Sequence, residues 1–410
     1  MCVELSIVMP CLNEAETLER CIAKAKDFLQ RSGASGEIII GDNGSTDGSV
    51  EIARRCGAQV VNVSIKGYGA ALGGAIAASR GRYCVMGDSD DSYDFGDLAL
   101  FVAKLREGAD LVMGNRFLGE MAPGAMPWKN RYIGNPALSG LGRFLFAAPI
   151  RDFHCGLRAF SREAFFRMDL RTTGMEFASE MVVKATLLNM NIVEVPTTLS
   201  RDGRSRAPHL RPFRDGWRHL RFLLLFSPDW LFLYPGLFLM VAGALLGGWL
   251  LTSPIHIFGA RLSLDTLIYC AAMIEIGFQS ILFALLSRAY AIQEGLFPKP
   301  LRPSRFERIF SLERGILAGA LLLGIGAWLF LTAFGIWREA QFGALDVERV
   351  TRVVISSSLS LSLGFEVILS SFLLSMLKMN VRLLPKATQA GRDGAQSIAL
   401  SGEPEASCTM

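Results

Sequence analysis

Four long apolar segments dominate the second half of the chain and limit what it can fold into. They cover residues 231–251, 264–287, 316–337 and 353–377. Each approaches or exceeds the roughly 20 residues that a helix needs to cross the hydrocarbon core of a bilayer. Because backbone polar groups in lipid must be satisfied internally, we predict four transmembrane helices.

Basic residues lie mainly on one side of these segments. The connection after the second segment and the tail after the fourth are both basic, with Lys299, Arg302, Arg305, Arg308, Lys378, Arg382 and Lys386. The positive-inside rule predicts an integral protein of a bacterial-type inner or plasma membrane, with both termini in the cytoplasm. No secretory signal opens the chain, so the N-terminal half is expected to stay in the cytosol.

The first two hundred residues alternate between strand and helix patterns. Short apolar runs predict strands at residues 5–9, 37–41, 59–63, 82–86 and 110–113, and helical periodicity predicts helices at 15–30, 47–56, 70–79 and 95–106. This alternation favours a mostly parallel α/β sheet, which binds ligands at the carboxyl ends of its strands. The net charge of +4 does not suggest nucleic acid as a partner, and eight cysteines without a CxxC pair indicate a reducing compartment.

Two carboxylates, Asp88 and Asp90, directly follow the fourth predicted strand. Side chains at this spacing can reach one divalent cation, and Mg²⁺ and Mn²⁺ prefer such hard oxygen ligands. The cation would neutralise charge on a departing nucleoside diphosphate. The alternative is a solvated turn with a helix cap.

Weaker polar signals follow the first three strands. Asp42 can accept hydrogen bonds from a nucleobase or ribose, although residues 45–46 could equally cap the next helix. Asn13 or Glu14 can bind a base or cap a helix. Glycines beside Lys66 allow a ligand to approach the backbone closely.

Seven sequence pieces resemble glycosyltransferase family 2, and most closely the dolichyl- and polyprenyl-phosphate sugar synthases. In order, they are SIVMPCLNEAETL, IIGDNGSTDGS, KGYGAAL, GDSDDS, GNRF, RDFHCGLRAFSREAF and EVPTTLSRDGRSR. The resemblance implies an α/β GT-A catalytic domain, Rossmann-like with a mostly parallel sheet, joined to a C-terminal α-helical transmembrane domain with four spans. It also implies an inverting, metal-dependent transfer of a sugar from a nucleotide-diphosphate sugar to an undecaprenyl- or dolichyl-type polyprenyl phosphate at the cytoplasmic face.

The same resemblance implies roles for individual residues. The donor would contact Pro10, Leu12, Asn13, Glu14, Asp42, Lys66, Asp88 and Ser89. Asp88 and Asp90 would hold Mg²⁺ or Mn²⁺ with the diphosphate, and Asp90 would be catalytic. Arg116 and Arg131 would face the acceptor phosphate. Arg206 stands where the family motif usually has lysine, and arginine remains a competent phosphate ligand.

Asp152 is either an acid/base group or a residue that orients its loop. A phosphate monoester has a second pKa of about 6, so a lipid phosphate is largely dianionic and needs little general base. The alternative enzyme would extend a saccharide or another acceptor in cell-envelope polysaccharide synthesis, and its processive members carry a QxxRW motif that the sequence lacks. A scaffold without chemistry is disfavoured by the intact Asp88 and Asp90.

The join between the two halves is rich in arginine. One predicted helical face carries Arg211, Arg214, Arg218 and Arg221. We predict an interfacial helix whose arginines meet lipid phosphates, although a positive flank of the first span explains some of them. The predicted units are a transferase domain (1–200), this interfacial segment (201–228), a membrane domain (229–380) and a disordered cytoplasmic tail (381–410).

Two carboxylates, Glu275 and Glu366, lie near the middles of the second and fourth apolar segments. Carboxylates at this depth are costly and are candidates for function. We favour the alternative that they hydrogen-bond between helices, with Gln279 and the serines within 356–362 as partners, or that they make contacts in a homo-oligomer.

Overall fold

The computed structural model describes residues 3–205, 212–257, 260–298, 311–344 and 346–378. Seven strands form its larger sheet: β1 Leu5–Cys11, β2 Gly36–Asp42, β3 Gln59–Asn62, β4 Tyr83–Met86, β5 Leu111–Asn115, β6 Arg158–Ser161 and β7 Ile192–Pro196. Their order is β3-β2-β1-β4-β6-β5-β7. Strand β6 runs antiparallel to both neighbours, whereas the other pairs are parallel. The predicted mostly parallel sheet is confirmed.

Helices pack against both faces of this sheet. They are α1 Leu18–Ser32, α2 Ser49–Arg55, α3 Tyr68–Ala78, α4 Ala99–Arg106, α5 Asn135–Phe146, α6 Arg162–Met168, α7 Phe177–Leu187 and α8 Pro212–Leu225. Successive side chains of β1 enter opposite cores, since Ile7 lies in one buried cluster and Val8 in the other. Buried positions of α1 recur every three or four residues from Leu18 to Phe28, so one stripe of the helix faces the sheet.

Four helices of the second half are long and apolar enough to cross a bilayer. They are α9 Tyr234–Thr252, α10 Leu264–Gln293, α11 Leu312–Glu339 and α12 Val347–Lys378. A short hairpin, β8 Ile255–Ile257 with β9 Ala260–Leu262, connects α9 to α10. The number and type of the predicted spans are confirmed within the described residues. Helices α10, α11 and α12 extend beyond their predicted apolar segments, and a π-helical turn, Asp229–Leu233, covers the start of the first segment before α9.

The membrane helices pack as two hairpins, α9 with α10 and α11 with α12, joined where α10 meets α12. Glycines bring the backbones close within each hairpin. A Cβ atom at Gly236 would lie 2.7 Å from the carbonyl oxygen of Gly277, and one at Gly319 would lie 2.7 Å from that of Gly364. Close approach through small residues is the usual basis of helix association in lipid, where apolar burial offers little gain.

Candidate active site

The loops that follow β1, β2 and β4 meet at one edge of the sheet, because β1 pairs with both other strands. Asn13 joins the first two loops. Its backbone N–H donates to Ser45 Oγ at 2.9 Å, and its Oδ1 accepts from the N–H of Thr46 at 2.7 Å. Ser89 Oγ donates to the carbonyl oxygen of Pro10 at 2.6 Å and so fixes the third loop. Several residues predicted from separate motifs therefore lie together.

An open groove of about 520 Å³ lies beside the second loop, and Asp42 and Lys66 are among its lining residues. The Asp42 carboxylate accepts from the backbone N–H groups of Gly44 at 3.0 Å and Ser45 at 3.1 Å. Lys66 Nζ donates to the carbonyl oxygen of Asn43 at 2.6 Å. These contacts hold the loop in shape, and the groove beside it is large enough to admit part of a nucleotide.

Asp88 is held in a polar pocket at the carboxyl end of β4. Tyr68 donates from its hydroxyl to Asp88 Oδ1 at 2.9 Å. A Cβ atom at Gly156 would lie 2.6 Å from Asp88 Oδ2, so this close approach requires glycine. Burial, reinforced by the charge of Asp90, raises the pKa of the Asp88 carboxyl to about 7.

The donor set at this edge fits a divalent cation that shares its coordination with a diphosphate. The described residues contain no group of three or more His, Cys, Asp or Glu side chains arranged as a complete metal cage. Mg²⁺ is commonly held by one or two carboxylates while substrate phosphates and water fill the other positions. Asp88 and Asp90 would supply those carboxylates, and the raised pKa of Asp88 marks a site where added positive charge is favourable.

Arg204 lies among three carboxylates, a contact that the motifs did not predict. Its Nη1 donates to Glu14 Oε1 at 2.9 Å, its Nη2 to Asp90 Oδ2 at 3.0 Å, and its Nε to Asp202 Oδ1 at 2.8 Å. The side chain is only 9% exposed. The sequence piece EVPTTLSRDGRSR contains Arg204, but it does not predict the contacts with Glu14 and Asp90, which are distant in sequence.

Arg116 and Asp152 form a buried ion pair with two parallel hydrogen bonds. Arg116 Nε donates to Asp152 Oδ2 at 2.8 Å and its Nη2 donates to Oδ1 at 2.7 Å. Asp152 is fully buried and Arg116 nearly so. Gly156, four residues after Asp152, lies so close to Asp88 that a Cβ atom there would be 2.6 Å from Oδ2, so this pair lies near the acidic edge formed by Asp88 and Asp90. In this arrangement Asp152 orients the guanidinium of Arg116.

Arg131 lies on a π-helical turn, Asn130–Gly134, that leads into α5. This turn and α5 expose large apolar side chains: Trp128, Tyr132, Ile133 and Phe144. The ring of Phe144 packs 4.3 Å, between centroids, from the ring of Trp230 at the start of the first span. The face that carries Arg131 is therefore continuous with the membrane helices. Arg206, like Arg211 of the arginine face, lies outside the described residues.

His154 is buried between the Arg116–Asp152 pair and helix α8. Its ring lies 4.7 Å, between centroids, from the ring of His219 on α8. Neither ring nitrogen of His154 has a hydrogen-bond partner within the described part of the chain. Burial, together with the nearby His219 and Arg116, lowers the pKa of His154 well below its usual value, so the ring is neutral.

Comparison with known proteins identifies the family. The sequence model for glycosyl transferase family 2 matches residues 6–167, and that for the glycosyltransferase family 2 C-terminal transmembrane region matches residues 285–378. The low-salt glycan biosynthesis hexosyltransferase Agl6 of Haloferax volcanii is 39% identical over 378 residues, which cover 91% of this chain and 89% of that protein. The chain belongs to glycosyltransferase family 2. It is a glycosyltransferase with a GT-A catalytic domain and a membrane-spanning C-terminal region, as the motifs predicted.

Further similarities extend over the catalytic domain. A dolichyl-phosphate hexose transferase of Haloferax volcanii is 32% identical over 216 residues, covering 52% of this chain and 89% of that protein. Glucosyl-3-phosphoglycerate synthase from Mycobacterium tuberculosis, solved in complex with Mn²⁺, UDP and glucosyl-3-phosphoglycerate, is 24% identical with a TM-score of 0.43, covering 55% of this chain and 80% of that chain.

Proposed function

We propose that this glycosyltransferase moves a sugar from a nucleoside-diphosphate sugar to a polyprenyl phosphate at the cytoplasmic face of the membrane. The observation that carries the proposal is the buried Arg116–Asp152 pair. It adjoins the acidic edge at Asp88, while the element that bears Arg131 continues into the membrane helices through Phe144. A phosphate at the end of a lipid needs this combination of cationic groups and membrane contact.

The donor would lie along the edge formed by the loops after β1, β2 and β4. Its nucleoside would enter the groove beside Asp42 and Lys66, where glycines keep the backbone open. Asp88 and Asp90 would hold Mg²⁺ or Mn²⁺ against the diphosphate, and the bound cation would neutralise the charge of the leaving group. Pro10 and Ser89 shape this end of the site through their mutual hydrogen bond.

The acceptor phosphate would meet Arg116 and Arg131. Asp152 engages two of the guanidinium nitrogens of Arg116 and leaves further N–H donors of that group for a ligand. The phosphate is its own nucleophile because it is largely dianionic at neutral pH. Positioning and arginine charge then supply most of the catalysis, and a single displacement at the anomeric carbon inverts its configuration.

The membrane-facing surface supports a lipid acceptor. Trp128, Tyr132 and Phe144 are exposed on the α5 side, and on α8 the side chains of Trp217 and Arg221 are exposed. Aromatic and cationic side chains of this kind lie at the headgroup level of a bilayer. Residues 1–200 would be the catalytic domain, 201–228 the interfacial segment and 229–380 the membrane domain, with both termini cytoplasmic.

A product analysis tests the proposal. Membranes that contain the protein are incubated with a panel of radiolabelled nucleotide sugars, with and without added polyprenyl phosphates. A labelled product that is soluble in chloroform and depends on added polyprenyl phosphate is expected. A water-soluble labelled polymer, formed without the lipid, would instead identify a transferase that extends a saccharide.

A further inference from the structure

Both carboxylate oxygens of Asp90 already accept hydrogen bonds from this chain. Oδ1 accepts from the N–H of Ser92 at 3.1 Å and from its hydroxyl at 2.5 Å. Oδ2 accepts from Arg204 Nη2 at 3.0 Å. Oδ1 already has two donors, whereas Oδ2 keeps one lone pair free, so a divalent cation would bind at Oδ2, directly beside the Arg204 guanidinium. The contact with Ser92 is local, so the contact with Arg204 is the one that can be exchanged.

Arg204 and a divalent cation would repel each other at this carboxylate. Mg²⁺ binds carboxylate oxygen at about 2.0–2.1 Å, which would place it within about 5 Å of a guanidinium nitrogen that is bonded to the same oxygen. Positive charges that close repel by several kcal/mol at the effective dielectric of a protein surface, about 20. The guanidinium meanwhile offsets part of the negative charge of Glu14, Asp90 and Asp202, which would otherwise repel one another more strongly.

Arg204 belongs to a short segment, residues 202–205, that lies across the acidic edge. The backbone N–H of Gly203 donates to the carbonyl oxygen of Asp90 at 2.9 Å. The backbone N–H of Ser205 donates to Glu16 Oε2 at 2.6 Å. We call residues 202–205 the strap. Its backbone contacts and the Arg204 ion pairs hold it over the carboxylates that the metal would use.

We propose that Arg204 is an internal counter-cation that a divalent metal replaces at Asp90. In the metal-free enzyme the guanidinium stabilises the acidic edge and keeps the strap closed over it. When the metal binds with the donor, Arg204 leaves Asp90 and the strap loosens, so Arg204 sets the metal affinity of the free enzyme. This proposal rests on the metal-dependent function proposed above.

Mn²⁺ binding in the absence of nucleotide tests the exchange directly. The full-length protein is purified in detergent, and free Mn²⁺ is measured by electron paramagnetic resonance during a titration. Arg204→Met keeps much of the side-chain stem and removes the charge, so it is expected to tighten Mn²⁺ binding about tenfold or more. Arg201→Met is the matched control, because Arg201 is exposed and bonds to the carbonyl oxygen of Pro123. Equal affinity in wild type and Arg204→Met would overturn the proposal.

A second measurement uses the wild-type protein and does not depend on the variant folding. Hydrogen exchange of the backbone amides of Gly203 and Ser205 should accelerate when Mn²⁺ is added, because both amides are bonded within the closed strap. Unchanged hydrogen-exchange protection of these two amides at saturating Mn²⁺ would contradict the proposal that the metal replaces Arg204 at Asp90.

The variant Asp90→Asn shows whether a negative result contradicts only the replacement of Arg204 by metal or also the proposed metal-dependent function. If Asp90→Asn abolishes Mn²⁺ binding but Arg204→Met leaves the affinity unchanged, the metal site stands and the exchange is wrong. If neither wild type nor Arg204→Met binds Mn²⁺, even with UDP or GDP present, the metal-dependent function is wrong and the exchange falls with it.

Discussion

Polar side chains have different partners in the two halves of the molecule. In the catalytic domain, opposite charges meet. Arg116 is held by Asp152, and Lys184 Nζ lies 2.9 Å from Glu180 Oε1 with both side chains at most 3% exposed. Arg204 adds a cation among several carboxylates. Such groups can exchange one charged partner for another, which is what the proposed binding of a metal and of two phosphates would require.

Near the middle of the membrane helices, two carboxylates meet neutral groups instead. Gln279 Nε2 on α10 donates to Glu366 Oε1 on α12 at 2.7 Å. Ser362 on α12 donates its hydroxyl to Glu275 on α10. The two pairs lie one helical turn apart and join the two hairpins. We propose from this contrast that charge in the catalytic domain acts on ligands, whereas Glu275 and Glu366 hold the membrane helices together.

The largest effect is expected from Asp90→Ala. If the carboxylates of the catalytic domain act on ligands, this change should reduce turnover by about a thousandfold, because charge on the leaving diphosphate is no longer neutralised. The fold should persist, since Arg204 keeps Glu14 and Asp202 as partners. Sugar transfer and thermal unfolding are measured in parallel. Asp97→Asn, an exposed carboxylate nearby, is the control and should retain activity.

Normal turnover in Asp90→Ala would contradict the proposal that the carboxylates of the catalytic domain act on ligands. So would wild-type activity that persists after removal of divalent metal with a chelator, because Asp88 and Asp90 would then serve no cation.

A smaller loss, about a hundredfold in turnover, is expected from Asp152→Asn. The amide can no longer accept two hydrogen bonds from Arg116, and a misplaced guanidinium costs about this much at a reacting centre. Breaking a buried ion pair also destabilises a fold by about 3–5 kcal/mol. Kinetics with varied acceptor and varied donor, with thermal unfolding, separate the two effects. Arg151→Gln, an exposed neighbour, is the control.

The acceptor dependence decides the interpretation of Asp152. If Asp152→Asn raised the KM for the donor alone, Arg116 would belong to the donor site. If it lowered stability without any change in kinetics, the pair would be structural only.

The order of the elements could be predicted from the sequence, because strand alternation and apolar length are local properties. Asp88 and Asp90 were found by their position after β4 and need no distant partner to be recognised. Element ends were less accurate. The helix expected from residue 95 begins at Ala99, because Asp94 forms a turn in which its carboxylate and carbonyl oxygen accept the N–H groups of Gly96 and Asp97.

Features that depend on distant partners were not predicted. Strand β6 inserts antiparallel between β4 and β5 although it follows them in the chain, and alternation carries no information about such an order. Arg204 bonds to Asp90, which is 114 residues away in sequence. The exposed aromatic face that ends at Phe144 becomes recognisable as a membrane contact only when Trp230 packs against it.

The ring nitrogens of His154 are buried beside α8 and have no hydrogen-bond partner among the described residues, so the effect of His154 appears in stability as a function of pH. Its pKa is lowered in the folded protein and is about 6.5 in the unfolded chain, so the unfolded state binds more protons below pH 6.5. Stability should therefore be unaffected above pH 6.5 and fall by up to about 1.4 kcal/mol for each pH unit below it.

Thermal or denaturant unfolding between pH 7.5 and 5.5 measures this dependence. His154→Gln should reduce the slope below pH 6.5, because the substituted side chain does not titrate. An identical slope in wild type and variant would mean that His154 is free to protonate in the folded protein.

The smallest effect is expected in the membrane, where Gln279→Leu and Glu366→Leu remove one of the pairs between α10 and α12. Hydrogen bonds between helices in lipid contribute about 0.6 kcal/mol on average and seldom more than about 2. A double-mutant cycle of unfolding free energies should give a coupling in this range, and turnover should stay within about twofold. Thr332→Ala is the control, because the Thr332 hydroxyl bonds to its own helix at Trp328. A large loss of turnover at unchanged stability would place the membrane carboxylates with those that act on ligands, and the difference between the two halves would disappear.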